Sequence, residues 1–156
     1  MGVDPVAQRT IVTFASKRFN ETLPQSHFIN RHCYGDDLAR SMIGVLRATG
    51  TATDDLPTQE DFGWWFRFQG GTHPHCFIVG YRPPDDGNND EGLWIGSVER
   101  DRGLLGSIIG KRKTGIELVA VRSIHTVLVA LELRNIMWHR ESVFDRSEDE
   151  GSREPE

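Results

Sequence analysis

Residues 60–77 read EDFGWWFRFQGGTHPHCF, and this stretch decides the fold. Two aromatic-rich runs flank QGGTHP, a short glycine-containing connection that is typical of a β-hairpin. Successive side chains of a strand point to opposite faces of a sheet, so the adjacent residues Trp64 and Trp65 cannot enter the same core. The two faces of this hairpin therefore need separate explanations.

The length of the connection predicts how the two strands pair. The expected pairs are Phe68–His75, Phe66–Phe77, Trp64–Val79 and Phe62–Tyr81. One face is then strongly apolar and is expected to lie beneath helices; it carries Phe62, Trp64, Phe66, Phe68, Phe77 and Val79. The other face, which we name the reverse face, carries Gly63, Trp65, Arg67, Cys76, Ile78 and Gly80. Since half of the reverse face is apolar, it is not an ordinary solvated surface.

The other elements follow from hydrophobic periodicity. Residues 35–50 repeat apolar side chains at helical spacing, begin with two aspartates and end at Gly50, so they predict a helix. Residues 115–133 predict a second helix, because their length and apolar arc outweigh their many β-branched residues. A short irregular helix is expected at 101–114. Strands are predicted at 9–16, 62–68, 75–82, 93–100 and 135–141.

The predicted order β-α-β-β-β-α-β is that of an α+β protein. We expect a two-layer structure in which a mostly antiparallel, five-stranded sheet carries two helices on one face. Residues 1–144 are predicted to form a single globular domain. Residues 145–156 carry six acidic residues, two arginines and no large apolar residue, so they are predicted to be a disordered acidic tail.

The element order over residues 35–140 resembles that of the small type III secretion chaperones, although the strand at 9–16 departs from their pattern. Bacterial toxin-immunity proteins are similar in being small, soluble, acidic and non-catalytic. The resemblance implies a role in binding other proteins. It assigns no residue to a site.

The composition indicates a soluble protein. The chain is 37% hydrophobic and 26% charged, and no apolar run is long enough to span a bilayer. The first residues lack the basic and apolar regions of a secretory signal. Two cysteines, Cys33 and Cys76, are too few for a disulfide framework. We therefore expect a cytoplasmic protein that does not bind membranes.

Nucleic-acid binding is not expected either. Residues 97–113 have a local net charge of +3, while the body as a whole is close to neutral. Binding to phosphates normally needs a wider basic field. The KRK sequence at 111–113 is more typical of a solvated turn.

The histidines raise the question of a metal site. His73 and His75 have the i, i+2 spacing at which two strand residues share a face and can chelate zinc, but Pro74 restricts the geometry and Cys76 points the other way. Further ligands would have to come from His27, His32 or Cys33. The simpler interpretation is a hairpin turn with polar residues near its tip. We expect no metal and no cofactor.

Cysteine catalysis is the alternative hypothesis. Cys33 precedes the first predicted helix, whose N-terminus would lower the pKa of a thiol, and His125 or His139 would supply a base. No sequence pattern brings these residues together, and the chain has no nucleophile elbow, P-loop, dinucleotide-binding glycine pattern or HExxH motif. We assign no catalytic residue. A small His/Cys-dependent hydrolase or metal-binding enzyme stays the second hypothesis.

The sequence leaves three alternatives for what covers the reverse face: residues 17–34 of the same chain, a second copy in a homodimer, or a partner protein. On strand 93–100, either Trp94 and Val98 or Leu93 and Ile95 must turn outward. We assign four residues to partner binding: Trp65, Arg67, Ile78 and Trp94. The sequence therefore predicts a non-enzymatic protein-interaction module, similar to a chaperone, adaptor or immunity protein, that binds a protein partner or itself.

Overall fold

The computed structural model describes residues 8–19, 25–29, 33–84, 92–101, 115–141 and 151–155. These residues form two helices, α1 (Asp36–Ala48) and α2 (Leu118–Ala130). They also form six strands: β1 (Arg9–Ala15), β2 (Thr58–Glu60), β3 (Gly63–Gly70), β4 (His73–Arg82), β5 (Leu93–Arg100) and β6 (Arg134–Arg140). The helix expected at 101–114 lies, from residue 102 onward, outside the described residues.

The hairpin of β3 and β4 has the predicted register. Trp64 lies opposite Val79, Phe66 opposite Phe77 and Phe68 opposite His75, which confirms three of the four expected pairs. The fourth expectation is wrong, because Phe62 lies in the turn between β2 and β3 and is 63% exposed. Phe62 is therefore not part of the core.

The sheet is antiparallel and curled, with the strand order β2-β3-β4-β5-β1-β6. The protein is therefore α+β, but the predicted five-stranded, two-layer arrangement is wrong in detail because the sheet has six strands. The additional strand is β2, which lies between the predicted helix 35–50 and the predicted strand 62–68, where the sequence predicted no element. Its three residues are polar and lie at the sheet edge, so no alternation of apolar and polar residues marks them in the sequence.

Both helices pack against the same side of the sheet. α1 contributes Leu38, Met42 and Leu46 to a single buried cluster, and α2 contributes Ile124 and Leu128. The same cluster contains the apolar side chains of the inner face of the sheet, among them Trp64, Phe66, Phe68, Phe77, Val79, Trp94 and Val98. Neither described helix is long and apolar enough to cross a bilayer.

The segment before α1 also packs on the inner face. The ring of Phe28 lies 5.1 Å from that of Trp64, and the indole N–H of Trp64 donates to the carbonyl oxygen of Cys33 at 2.7 Å. Phe19 and Phe28 are both buried in the core. Phe28 and the carbonyl group of Cys33 therefore cover part of Trp64. The alternative in which residues 17–34 cover Trp65 gains no support from the described parts of that segment.

Residues 151–155 depart from the prediction of a disordered tail. Ser152 forms a β-bridge with Trp138 of β6, and Pro155 is buried. The bridge depends on backbone groups, which every residue type carries, so the acidic composition of this stretch did not indicate it. Residues 142–150, which include half of the predicted tail, and residue 156 lie outside the described residues.

Candidate functional site

The reverse face continues across the sheet beyond the β3–β4 hairpin. Trp65 pairs with Ile78, Ile78 with Ser97 of β5, and Ser97 with Ile11 of β1, so these side chains form one row. The next row contains Gly80, Ile95 and Thr13. Four apolar side chains of the two rows are half-buried although both helices lie on the other side of the sheet: Ile11, Trp65, Ile78 and Ile95.

A shallow depression of about 320 Å³ lies in the middle of this face. Its lining is mostly apolar and includes Ile11, Phe62, Ile78, Gly80, Tyr81 and Ile95. Gly80 is needed at this position, since a Cβ there would lie 2.7 Å from the carbonyl oxygen of Phe62. The exposed ring of Phe62 forms part of the wall. The depression is therefore suited to an apolar side chain of another molecule.

Arg67 borders the apolar rows and is held in place. Its guanidinium lies 5.0 Å from the centre of the Trp65 ring, in cation–π geometry. Its Nε lies 3.0 Å from Oδ2 of Asp101, and its backbone N–H donates to Asp54 at 3.0 Å. Tryptophan and arginine are the residue types most enriched at the energetic centres of protein interfaces. The structure thus brings Trp65, Arg67 and Ile78 together.

Trp94 does not belong to this surface. It is fully buried on the inner face, where its ring stacks on Phe14 at 6.5 Å and lies 4.9 Å from Tyr81. Its indole N–H donates to the carbonyl oxygen of Ser16 at 3.4 Å. The assignment of Trp94 to partner binding is therefore wrong, and Leu93 and Ile95 are the residues of β5 that turn outward.

The sequence pattern missed Ile11 as a residue of this surface and left the orientation of Ile95 open. Both residues line the same depression as Ile78, with Ile95 on the adjacent strand and Ile11 one strand further on. What the sequence lacked was the position of β1 next to β5, which places these two side chains on the reverse face.

His75 is a structural residue. It is fully buried, its Nδ1–H donates to the carbonyl oxygen of His73 at 2.9 Å, and its Nε2 accepts the backbone N–H of Glu117 at 3.1 Å. This arrangement requires a neutral ring, and burial lowers the pKa of His75. Because both ring nitrogens are used inside the protein, His75 has none left for a metal or a substrate.

Glu117 fixes the turn of the same hairpin. Its carboxylate accepts hydrogen bonds from the Thr72 hydroxyl at 2.7 Å, the Thr72 backbone N–H at 3.2 Å and the His73 backbone N–H at 3.1 Å. These bonds, led by that of the Thr72 hydroxyl, lower the pKa of Glu117 to about 2. The cluster that suggested a metal site in the sequence is therefore a clamp between the hairpin turn and the start of α2.

Cys33 does not have the environment of a nucleophile. Its thiol donates to the carbonyl oxygen of Glu60 at 3.4 Å, and burial raises the pKa of the thiol. Cys76 is also buried. Within the described part of the chain, no three His, Cys, Asp or Glu side chains come close enough to hold a metal ion.

A second charged cluster joins the segment before α1 to the helix. Asp36, in the first turn of α1, is 7% exposed. One carboxylate oxygen lies 2.8 Å from Nε2 of His27 and the other 2.9 Å from Nε of Arg40. The carboxylate is thus fully engaged in holding residues 25–29 against the helix. We assign the cluster a structural role.

Comparisons with known proteins identify no relative: no protein-family model, curated protein or solved structure matches the chain at a significant level. The resemblance to secretion chaperones in element order is thus not accompanied by a structural match. The function has to be argued from the surface itself.

Proposed function

We propose that the protein is a non-enzymatic protein-interaction module that binds a partner protein, or a second copy of itself, through the reverse face of its sheet. The observation that carries this proposal is the row of half-buried apolar side chains on the face opposite both helices. A sheet that needs only one covered face normally alternates apolar and polar residues. Here Trp65, Ile78 and Ile95 occupy positions where polar side chains would be expected.

The surface has the composition of an interface centre. Trp65 offers a large rigid ring, Arg67 is already ordered by Asp101, and the neighbouring depression accepts an apolar side chain. Ordering Arg67 before binding reduces the entropy lost on association. A contact centred on Trp65 and Ile78 would therefore gain apolar burial at small conformational cost.

The hydrolase alternative has less support. Cys33 is a buried thiol with a raised pKa, and His75 is committed to internal hydrogen bonds. Neither residue offers the exposed, activated group that nucleophilic catalysis requires. We therefore keep the interaction hypothesis as the single candidate.

The test is a surface substitution with a matched control. Ile78→Asp places a charge in the centre of the reverse face, whereas Val119→Asp places one on α2, where Val119 is 55% exposed. Both variants are expected to fold. The lower preference of aspartate for strands should by itself reduce the stability of Ile78→Asp by about 1 kcal/mol or less. If the protein self-associates, Ile78→Asp should abolish that association in sedimentation velocity. If it binds a partner protein, Ile78→Asp should abolish the quantitative capture of that partner from the native host. Val119→Asp should change neither. Equal association of the two variants would contradict the proposal.

A further inference from the structure

Strand β6 lies at one end of the sheet, and residues 151–155 occupy its outer edge. The backbone N–H of Trp138 donates to the carbonyl oxygen of Ser152 at 2.6 Å, and the N–H of Ser152 donates to the carbonyl oxygen of Trp138 at 2.8 Å. On its other side β6 pairs with β1. The segment therefore takes the place of a seventh strand, but over a single bridge.

The residues beside the bridge fit the segment closely. The indole N–H of Trp138 donates to Nδ1 of His125 at 3.0 Å, which leaves Nε2 of His125 to face the Glu154 carboxylate at 3.5 Å. Gly151 has a φ of 74°, and a Cβ there would lie 3.0 Å from both Met137 and His139. The edge therefore favours glycine at the position before Ser152 and a carboxylate two positions after it.

The contact involves few groups, although Pro155 is buried. The side chain of Glu154 is 72% exposed, and an exposed ion pair contributes about 0–1 kcal/mol. β6 has seven residues, and the segment bridges to it at Trp138 alone among the described residues. By strand alternation the peptide groups of Ile136 point to the same edge as those of Trp138. A longer strand would therefore find further pairing positions there.

The surface beside the edge also limits which ligand fits. Arg134 and Arg140 of β6 are flanked by Glu132 and Glu141, and residues 151–155 hold one arginine and one glutamate, so net charge does not select the ligand. A depression of about 550 Å³ lies between the end of α2, β6 and the segment, with Val129, Leu133 and Ile136 in its lining. The edge thus combines backbone groups, apolar surface and the imidazole of His125.

We propose that the edge of β6 is a strand-addition site for an extended peptide of a partner protein that carries a glycine and, three positions later, a carboxylate, and that residues 151–155 occupy the site in cis as a displaceable mimic. Strand addition takes its affinity from backbone hydrogen bonds and its specificity from alternate side chains. Here the specificity comes from a small residue before the bridge and from the carboxylate at His125. This site lies at the end of the sheet opposite β2 and β3, and it does not depend on the function proposed for the reverse face.

The test uses a fluorescent peptide with the sequence DRSEDEGSREPE, identical to residues 145–156. In the protein, Ser152→Pro removes the N–H that donates to Trp138 and leaves every charge in place, while Ser152→Ala keeps that N–H. We expect Ser152→Pro to bind the peptide at least tenfold more tightly than wild type or Ser152→Ala, because a tethered segment competes at an effective concentration of about millimolar. A scrambled peptide of the same composition should bind at least tenfold more weakly.

Three results would overturn the proposal. Equal affinities of Ser152→Pro and Ser152→Ala would show that the segment does not block a site. Equal binding of the scrambled peptide would show that charge alone attracts it. A large drop of the urea midpoint in Ser152→Pro, with wild-type behaviour in Ser152→Ala, would show that the segment is an integral part of the fold and not displaceable.

Discussion

Replacing His75 with phenylalanine removes one hydrogen-bond acceptor from the start of α2. In the wild type, Nε2 of the fully buried ring accepts the backbone N–H of Glu117 at 3.1 Å. Phenylalanine keeps an aromatic ring beside Phe68, whose ring centroid lies 6.1 Å away, but offers no acceptor. A buried N–H left without a partner costs about 1–3 kcal/mol. We expect His75→Phe to lower the free energy of unfolding by this amount at pH values where histidine is neutral.

The substitution should also remove a pH dependence. Burial lowers the pKa of His75 below its ordinary value of 6.5, and the groups that face the ring are Glu117, Arg100 and His73. Protonation would turn Nε2 into a donor that faces the Glu117 N–H. As the pH falls below 6.5 the unfolded chain takes up this proton before the folded one does. The contribution of His75 to stability is therefore complete above 6.5 and is lost progressively below it.

Urea denaturation of both proteins between about pH 8 and pH 5 measures this effect, since histidine titrates in that range. The free energy of unfolding of the wild type should fall faster on acidification, so the difference between the two proteins should narrow. The remaining histidines are present in both proteins and cancel in the comparison. Parallel pH curves, or a variant as stable as wild type at pH 8, would refute the role assigned to His75.

Two further predictions concern the hairpin. Phe66→Ala should lower the free energy of unfolding by about 3–5 kcal/mol because the ring is fully buried. Phe62→Ala should change it by no more than about 0.5 kcal/mol because Phe62 is 63% exposed. Equal urea midpoints for the two variants would mean that the hairpin faces are misassigned. Glu117→Gln should cost about 1–2 kcal/mol at neutral pH through weaker hydrogen bonds to Thr72 and His73. The pKa of Glu117 is lowered from 4.5 to about 2, so its contribution is present above 4.5 and is lost as the pH falls toward 2. The variant should lack this acid-induced loss in pH-dependent melts, and an unchanged acid limb would argue against the clamp.

The sequence was most informative where local signals were strong. Aromatic alternation and a short glycine turn specified the pairing of Trp64 with Val79 and of Phe66 with Phe77. Because successive side chains of a strand point to opposite faces, the same pairing placed Trp65 and Ile78 on the reverse face. α1 was marked by helical spacing and by its two opening aspartates.

Features that depend on tertiary placement were not predictable. Both sides of β5 carry apolar residues, so its own sequence did not decide whether Trp94 or Ile95 faces the core. The clamp joins His75 to Glu117 across 42 positions, and no local pattern links them. The bridge between Trp138 and Ser152 uses backbone atoms alone, so side-chain composition carried no signal of it.

The central claim is that Trp65 serves association and Trp64 serves the fold. The most direct test compares the variants Trp65→Ala and Trp64→Ala. For each variant, the urea midpoint of unfolding and the association constant are measured, the latter with a captured partner or in self-association. Trp64 is 3% exposed, so its truncation should cost about 3–5 kcal/mol of stability. Trp65→Ala should cost less than about 1.5 kcal/mol of stability while weakening association by about 30-fold, as for an interface tryptophan worth 2 kcal/mol or more. A Trp65→Ala variant that loses as much stability as Trp64→Ala and associates as the wild type does would contradict the claim.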